Sequence, residues 1–221
     1  SIGAVAVAPS DPRVVWVGTG ESTDRNSAGF GSGVYRSTDG GATWARAGLP
    51  ASRAISRVRV HPSKPEVAFV AVSGDLWTKG GERGLYRTAD GGKSWTKVLS
   101  AAAPDDADTG CVDVVLSPAD PNVVYAALYA RRRTPYSFTY GPSLTGGRDA
   151  GGVFRSTDGG ATWKKLTNGL PPQAGRIGLA VTPANPKVVM AVVQSDAGGT
   201  SGIDEIESRA GGVFRSEDGG D

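Results

Sequence analysis

"RSTDGGATW" occupies residues 36–44, returns as "RTADGGKSW" at 87–95 and as "RSTDGGATW" at 155–163, and begins again as "RSEDGGD" at 215–221. A catalytic motif is normally used once per active site, because its groups converge on one reacting atom. A phrase whose aspartates (Asp39, Asp90, Asp158, Asp218) stand 51, 68 and 60 residues apart is a building unit. Its chemistry is that of a turn. Asp39 is a short acceptor for the N–H groups of its own turn and for the Thr43 hydroxyl, Gly40 and Gly41 supply positive φ, and Trp44 opens the next strand with a large ring.

Working outward, each phrase is preceded by a short strand, "GVYRS", "GLYRT", "GVFRS" and "GVFRS", in which Tyr35, Tyr86, Phe154 and Phe214 share one slot. Further upstream lie "VAVAPSDPRVVWVGTG" (5–20), "VRVHPSKPEVAFVAVSG" (58–74), "VVLSPADPNVVYAALYA" (114–130) and "LAVTPANPKVVMAVVQS" (179–195). Each is a pair of short apolar runs around Pro-x-x-Pro. Two prolines three apart exclude a helix and suit a hairpin connection, and Val-rich runs of four to seven residues read as strands. The unit is therefore four antiparallel strands, A to D, with the repeated phrase between C and D. The prediction is all-β: four four-stranded β-propeller blades over about 1–52, 53–103, 104–172 and 173–221, the last incomplete, as an arc of a six- to eight-bladed ring.

Composition agrees with this reading. Gly 33 and Pro 14 in 221 residues supply turns between short strands, and 38% hydrophobic content suffices for cores between sheets. Lys+Arg 24 against Asp+Glu 22 gives no field for nucleic acid. No run approaches a membrane span, and "SIGAVAVAPSDP" has no basic leader region. Cys111 has no partner cysteine and reads as a small core residue. His61, the single histidine, reads as a turn residue, because a metal site needs further ligands.

The phrase resembles the Asp box, S/T-x-D-x-G-x-T/S-W, of BNR-repeat propellers such as sialidases, sortilin-type propellers and xyloglucanases. Its positions here are Ser37, Asp39, Gly41, Thr43 and Trp44; Thr88, Asp90, Gly92, Ser94 and Trp95; Ser156, Asp158, Gly160, Thr162 and Trp163; and Ser216, Asp218 and Gly220. The resemblance implies a hairpin remote from any active site. With one carboxylate per box, where an all-oxygen calcium loop needs several, the boxes are expected to be structural and metal-free, and no cofactor is expected. The whole pattern, with "YARRRTPYSF" and "LTNGLPPQAGRIGLAV", looks most like bacterial sortilin-type BNR proteins, which implies an exported protein without assigned catalysis.

If strands alternate in direction, the Pro-x-x-Pro turns and the Asp boxes share one face. The connections of variable length, 18–33, 73–84, 130–152 and 195–212 among them, share the other, where binding residues concentrate. Arg131, Arg132 and Arg133, followed by Tyr136, Phe138 and Tyr140, could hold a carboxylate, an acidic peptide or a sugar face; alternatively the arginines pair with "PDDAD" at 104–108. Five residues before each first proline stand Ala4, Arg57, Asp113 and Gly178, so Arg57 and Asp113 face the channel from adjacent blades, as ligand-binding groups or as a channel salt bridge. The functional expectation is a non-catalytic module binding a protein, peptide or glycan. The alternatives are a glycoside hydrolase-like propeller of sialidase or xyloglucanase type, with Asp113 and Glu21 or Asp24 as the carboxylate pair, and a scaffold subunit of a larger assembly.

Overall fold

The computed structural model describes residues 1–172, 174–195 and 211–221. Strands β1 (Ile2–Ala8), β2 (Asp11–Thr19), β3 (Val34–Ser37) and β4 (Ala45–Arg46) form the first antiparallel sheet in chain order. The second is β5 (Ile55–Val60), β6 (Ala68–Val72), β7 (Gly84–Thr88) and β8 (Thr96–Leu99). The third is β9 (Thr109–Leu116), β10 (Val124–Thr134), β12 (Gly152–Ser156) and β13 (Lys164–Leu166); β10 runs on past the sheet to pair with β11 (Ser137–Tyr140). The fourth holds β14 (Ala174–Thr182), β15 (Asn185–Ser195) and β16 (Gly211–Ser216). These sheets are propeller blades. Inner strands lie side by side in the order β1, β5, β9, β14, and the cores lie between successive sheets.

The hinge of each blade is the bond between its two turns. The first glycine of every box donates its N–H to the residue after the second proline: Gly40 to Arg13 O (2.8 Å), Gly91 to Glu66 O (2.9 Å), Gly159 to Asn122 O (2.9 Å) and Gly219 to Lys187 O (2.8 Å). Both turn types therefore lie on one face. Within the first box, Asp39 Oδ1 accepts from Ser37 Oγ (2.7 Å) and Thr43 N (2.9 Å), Asp39 Oδ2 accepts from Thr43 Oγ1 (2.5 Å), and Gly41 N donates to Ser37 Oγ (2.8 Å). Asp90 and Asp158 repeat the pattern with Thr88 and Ser94, and with Ser156 and Thr162.

The second glycine of each box closes a contact with the blade before it. A Cβ on Gly92 would stand 2.8 Å from Ala47 Cβ, one on Gly160 3.0 Å from Phe69 Cε1, and one on Gly220 2.6 Å from Leu166 Cδ1. Trp95 wedges into the same seam, edge-on to Trp16 and donating to Ala47 O at 2.6 Å. A Cβ on Gly41 would meet only the ring of its own Trp44, at 3.5 Å, and Trp44 is 45% exposed.

Three details depart from the sequence reading. The D strands are short, only Ala45–Arg46 in the first blade, because the outermost strand has a partner on one side alone. A one-turn helix, α1 (Gly141–Thr145), and a 3-10 turn at Asp105–Ala107 punctuate connections read as irregular. Each inner strand also carries a bulge, between Ile2 and Ala4, Ile55 and Arg57, Cys111 and Asp113, and Ala174 and Ile177. A bulge re-aims the side chains beyond it, and these four precede the channel-facing positions.

Candidate functional site

The face opposite the boxes is built by the loop after β2, the loop between β6 and β7, the β10–β11 hairpin and the turn at 105–107. The connection expected at 195–212 lies almost wholly outside the described residues. At the centre stands Asp113 on β9, with 4% of its side chain exposed. Its Oδ1 accepts from Arg57 Nε on β5 (2.8 Å) and from Val114 N (2.9 Å), and its Oδ2 accepts from Leu179 N on β14 (2.9 Å). The expected pairing with Arg57 exists, and it joins three inner strands. With three donors on it and 4% of its side chain exposed, this carboxylate is not open to a sugar.

The arginine run turns inward. Arg131, 1% exposed, donates through Nη1 to Ser22 O (3.0 Å), Thr23 O (3.2 Å) and Asp24 Oδ1 (2.6 Å), and through Nη2 to Gly74 O (3.3 Å). Arg133 donates to Asp24 O at 2.9 Å and lies over Phe138, while Arg132 pairs with Asp108 and Arg148 with Asp105. Arg176, on β14, donates to Ser22 O (2.9 Å) and stands 3.6 Å from Asp24 Oδ2. The loop that follows β2 is thus latched across the arc to the third and fourth blades. Of the aromatic residues read with the run, Tyr140 stacks on Phe138 and Tyr129 beneath the hairpin, whereas Tyr136 sits at its tip, 99% exposed.

Glu21 begins the latched loop. Its carboxyl accepts from Arg25, from Thr23 Oγ1 (2.9 Å) and from Gly29 N (3.4 Å), and the Arg25 contact, with those of Thr23 and Gly29 after it, holds it below the usual carboxylate range. Trp77, on the β6–β7 loop, lines a crevice with Glu21, Phe30 and Arg53. Sequence reasoning missed Arg83, which is buried and shapes that loop by donating to Ser73 O (2.9 Å), Thr78 O (2.7 Å), Gly80 O (3.0 Å) and Asp75 O. Burial pushes its guanidinium down to about 10, so it remains charged at neutral pH. Only its context, an arginine between Glu82 and Gly84 at the head of a C strand, signalled it. Burial also pushes the Cys111 thiol up, which leaves it an unreactive core group. No group of three or more metal-ligating side chains occurs among the described residues, and no helix there is long and apolar enough to cross a membrane.

The family model described as BNR/Asp-box repeat matches residues 35–46 and 154–165, the first and third turns described above. The chain carries BNR/Asp-box repeats. It is similar to a xyloglucanase of Paenibacillus sp (28% identical over 219 residues, 99% of this chain and 16% of the relative). It is likewise similar to xyloglucanase Xgh74A of Acetivibrio thermocellus (28% over 188 residues, 78% of this chain and 21% of the relative). The chain therefore spans about a fifth of the length of these curated relatives. Among solved structures, the GH74 enzyme of Niastella koreensis superposes with a TM-score of 0.61 at 22% identity, over 99% of this chain and 28% of that one. An ancestral GH74 enzyme gives 0.59 at 20% identity, over 99% and 23%. These likenesses show the propeller fold. They correct the expectation of a non-catalytic, sortilin-type binding module: the named relatives are xyloglucanases, which was the alternative drawn from the sequence.

Proposed function

We propose that this chain is a blade arc of a glycoside hydrolase-like propeller acting on a xyloglucan-type polysaccharide, with the sugar chain lying on the face opposite the Asp boxes. The observation that carries the reading is the similarity to a xyloglucanase along 99% of the chain. Geometry supports a division of labour. Tyr136 at the hairpin tip and Trp77 are aromatic platforms for pyranose rings, and the arginines behind them hold the loops in place. Glu21, held low by Arg25, suits the nucleophile or base of a two-carboxylate mechanism and not its proton donor. Asp113, enclosed by three donors, is not assigned the acid's role. A substrate too large to enter a cell requires export, which belongs to the same proposal.

The test is electrophoresis through gels with and without xyloglucan. Wild-type protein should be retarded by the polymer, and Tyr136→Ala should recover most of the free mobility with an unchanged unfolding midpoint. Unretarded wild-type protein would overturn the reading.

A further inference from the structure

The seams between blades repeat along the box face, so the outer rim of one seam can be compared with that of another. At the seam of the first two blades the Arg36 guanidinium, on β3, lies 5.2 Å from the Trp16 ring centroid and against the box of the second blade, where a Cβ on Gly91 would stand 2.7 Å from Arg36 Nη1. At the seam of the third and fourth blades Arg155, on β12, takes the same place, and a Cβ on Gly219 would stand 3.7 Å from its Nη1. There the arginine is paired: Asp221 accepts from Arg155 Nη1 at 2.9 Å and from Lys164 Nζ at 3.3 Å. In the second box the slot of Asp221 belongs to Lys93, and Ala45 pairs with Arg36 as Lys164 does with Arg155. A cation thus replaces the carboxylate. The result is an open notch of about 340 Å³ lined by Arg36, Arg46, Lys93 and Thr38. Among the described residues none of these three cations has an acidic partner: Arg46 reaches the Tyr35 hydroxyl and ring, and Arg36 keeps its Nε out of solvent with no hydrogen bond. The carboxylates of the two adjoining boxes, Asp39 and Asp90, are filled by their own turns.

We propose that this notch binds a carboxylate from outside the chain, that of a sugar acid or of a free carboxylate, between Arg36 and Lys93 much as Asp221 sits between Arg155 and Lys164. The paired seam specifies the ligand chemistry, since the same scaffold there presents an arginine and a lysine to a carboxylate through charge-assisted bonds. Three like charges without a counter-charge are relieved when an anion enters. A single exposed ion pair contributes little, so affinity comes from the cations acting together, and it falls as salt screens them. The notch lies on the box face, opposite the surface assigned to xyloglucan, and the proposal stands independently of that assignment.

The experiment is calorimetric titration of trigalacturonate, its methyl ester and acetate into the 221-residue chain at low salt, as wild type, Lys93→Asp, Arg36→Gln and Lys187→Asp. Wild type should bind trigalacturonate, more weakly as salt is added, and should not bind the ester. Lys93→Asp supplies the carboxylate that Asp221 supplies at the paired seam, and should weaken binding by at least about tenfold with the melting temperature unchanged or raised. Lys187→Asp makes the same change of charge on the fourth blade and should stay within about twofold of wild type. Arg36→Gln should weaken binding by about tenfold as well. Arg36 packs on Trp16, whereas Lys93 is exposed, so Lys93→Asp decides the matter if Arg36→Gln folds poorly. Tighter binding of trigalacturonate than of acetate identifies a sugar acid as the source, and equal affinity per carboxylate identifies a free carboxylate. Failure of wild type to bind either acid, equal binding of the ester, or a Lys93→Asp protein no weaker than Lys187→Asp overturns the proposal.

Discussion

Replacing Asp113 by alanine removes the acceptor that three inner strands share. Two buried backbone donors, Val114 N and Leu179 N, lose their partner, at about 1–3 kcal/mol each. Arg57, whose side chain is 43% exposed, swings into water and adds less than about 1 kcal/mol. The expected loss is therefore about 2–6 kcal/mol, a large share of the roughly 5–15 kcal/mol of a folded domain. Asp113→Asn keeps one carbonyl oxygen and turns an amide NH2 toward the other donor, so it should lose about half as much. Arg57→Ala leaves both backbone bonds and should lose least. Urea unfolding reads the order through the transition midpoints at constant slope. An Arg57→Ala variant as unstable as Asp113→Ala would refute the argument, because the ion pair and not the strand stitching would then be the stabilising element. Loss of polysaccharide hydrolysis in a stable Asp113→Asn protein would refute it differently, by showing a catalytic carboxylate.

Acid should act mainly through the boxes. The Thr43 hydroxyl, the Thr43 N–H and Ser37 hold Asp39 at about 2 against an ordinary 3.8, and Asp90 and Asp158 are held lower still. Folded values below unfolded ones mean that the stabilisation is complete above about pH 4 and is lost as pH falls through the folded values, so the melting temperature should drop most steeply between about pH 4 and 2; a main loss above pH 5 contradicts this. Trp95→Ala should cost about 3 kcal/mol by chemical unfolding, and Trp44→Ala, at a ring 45% exposed, less than about 1 kcal/mol in this 221-residue chain; equal losses would contradict the seam geometry. Chelator and added calcium should both leave the melting temperature unchanged, and a calcium-dependent shift would assign a cation to the boxes.

The blade pattern was legible because its causes are local: proline pairs, box glycines and alternating valines act within a dozen residues. The Arg57–Asp113 pair was legible for a related reason, since equal positions in successive repeats stand side by side. Arg131 was not. Read as part of an exposed basic run, it lies 1% exposed, and its partners at residues 22–24 are more than 100 residues away in the chain. Nothing in "ARRRTPYSF" encodes that separation. Glu21 was legible only as one of two carboxylates near the variable face; the contacts that set its chemistry come from the fold of its own loop.

The latch over residues 22–24 also sets an order of events during synthesis. Arrays of repeats can fold unit by unit as each leaves the ribosome, because each unit needs only its neighbours. Here Ser22 takes a bond from Arg176, 154 residues later. At about 5–20 residues per second, the nascent first blade waits roughly 8–30 s for that guanidinium. Through this interval the loop carrying Glu21 holds only the contacts it makes with itself and the first blade, then those of Arg131 and Arg133 once the third blade has emerged, and its last bond forms only when the fourth blade arrives.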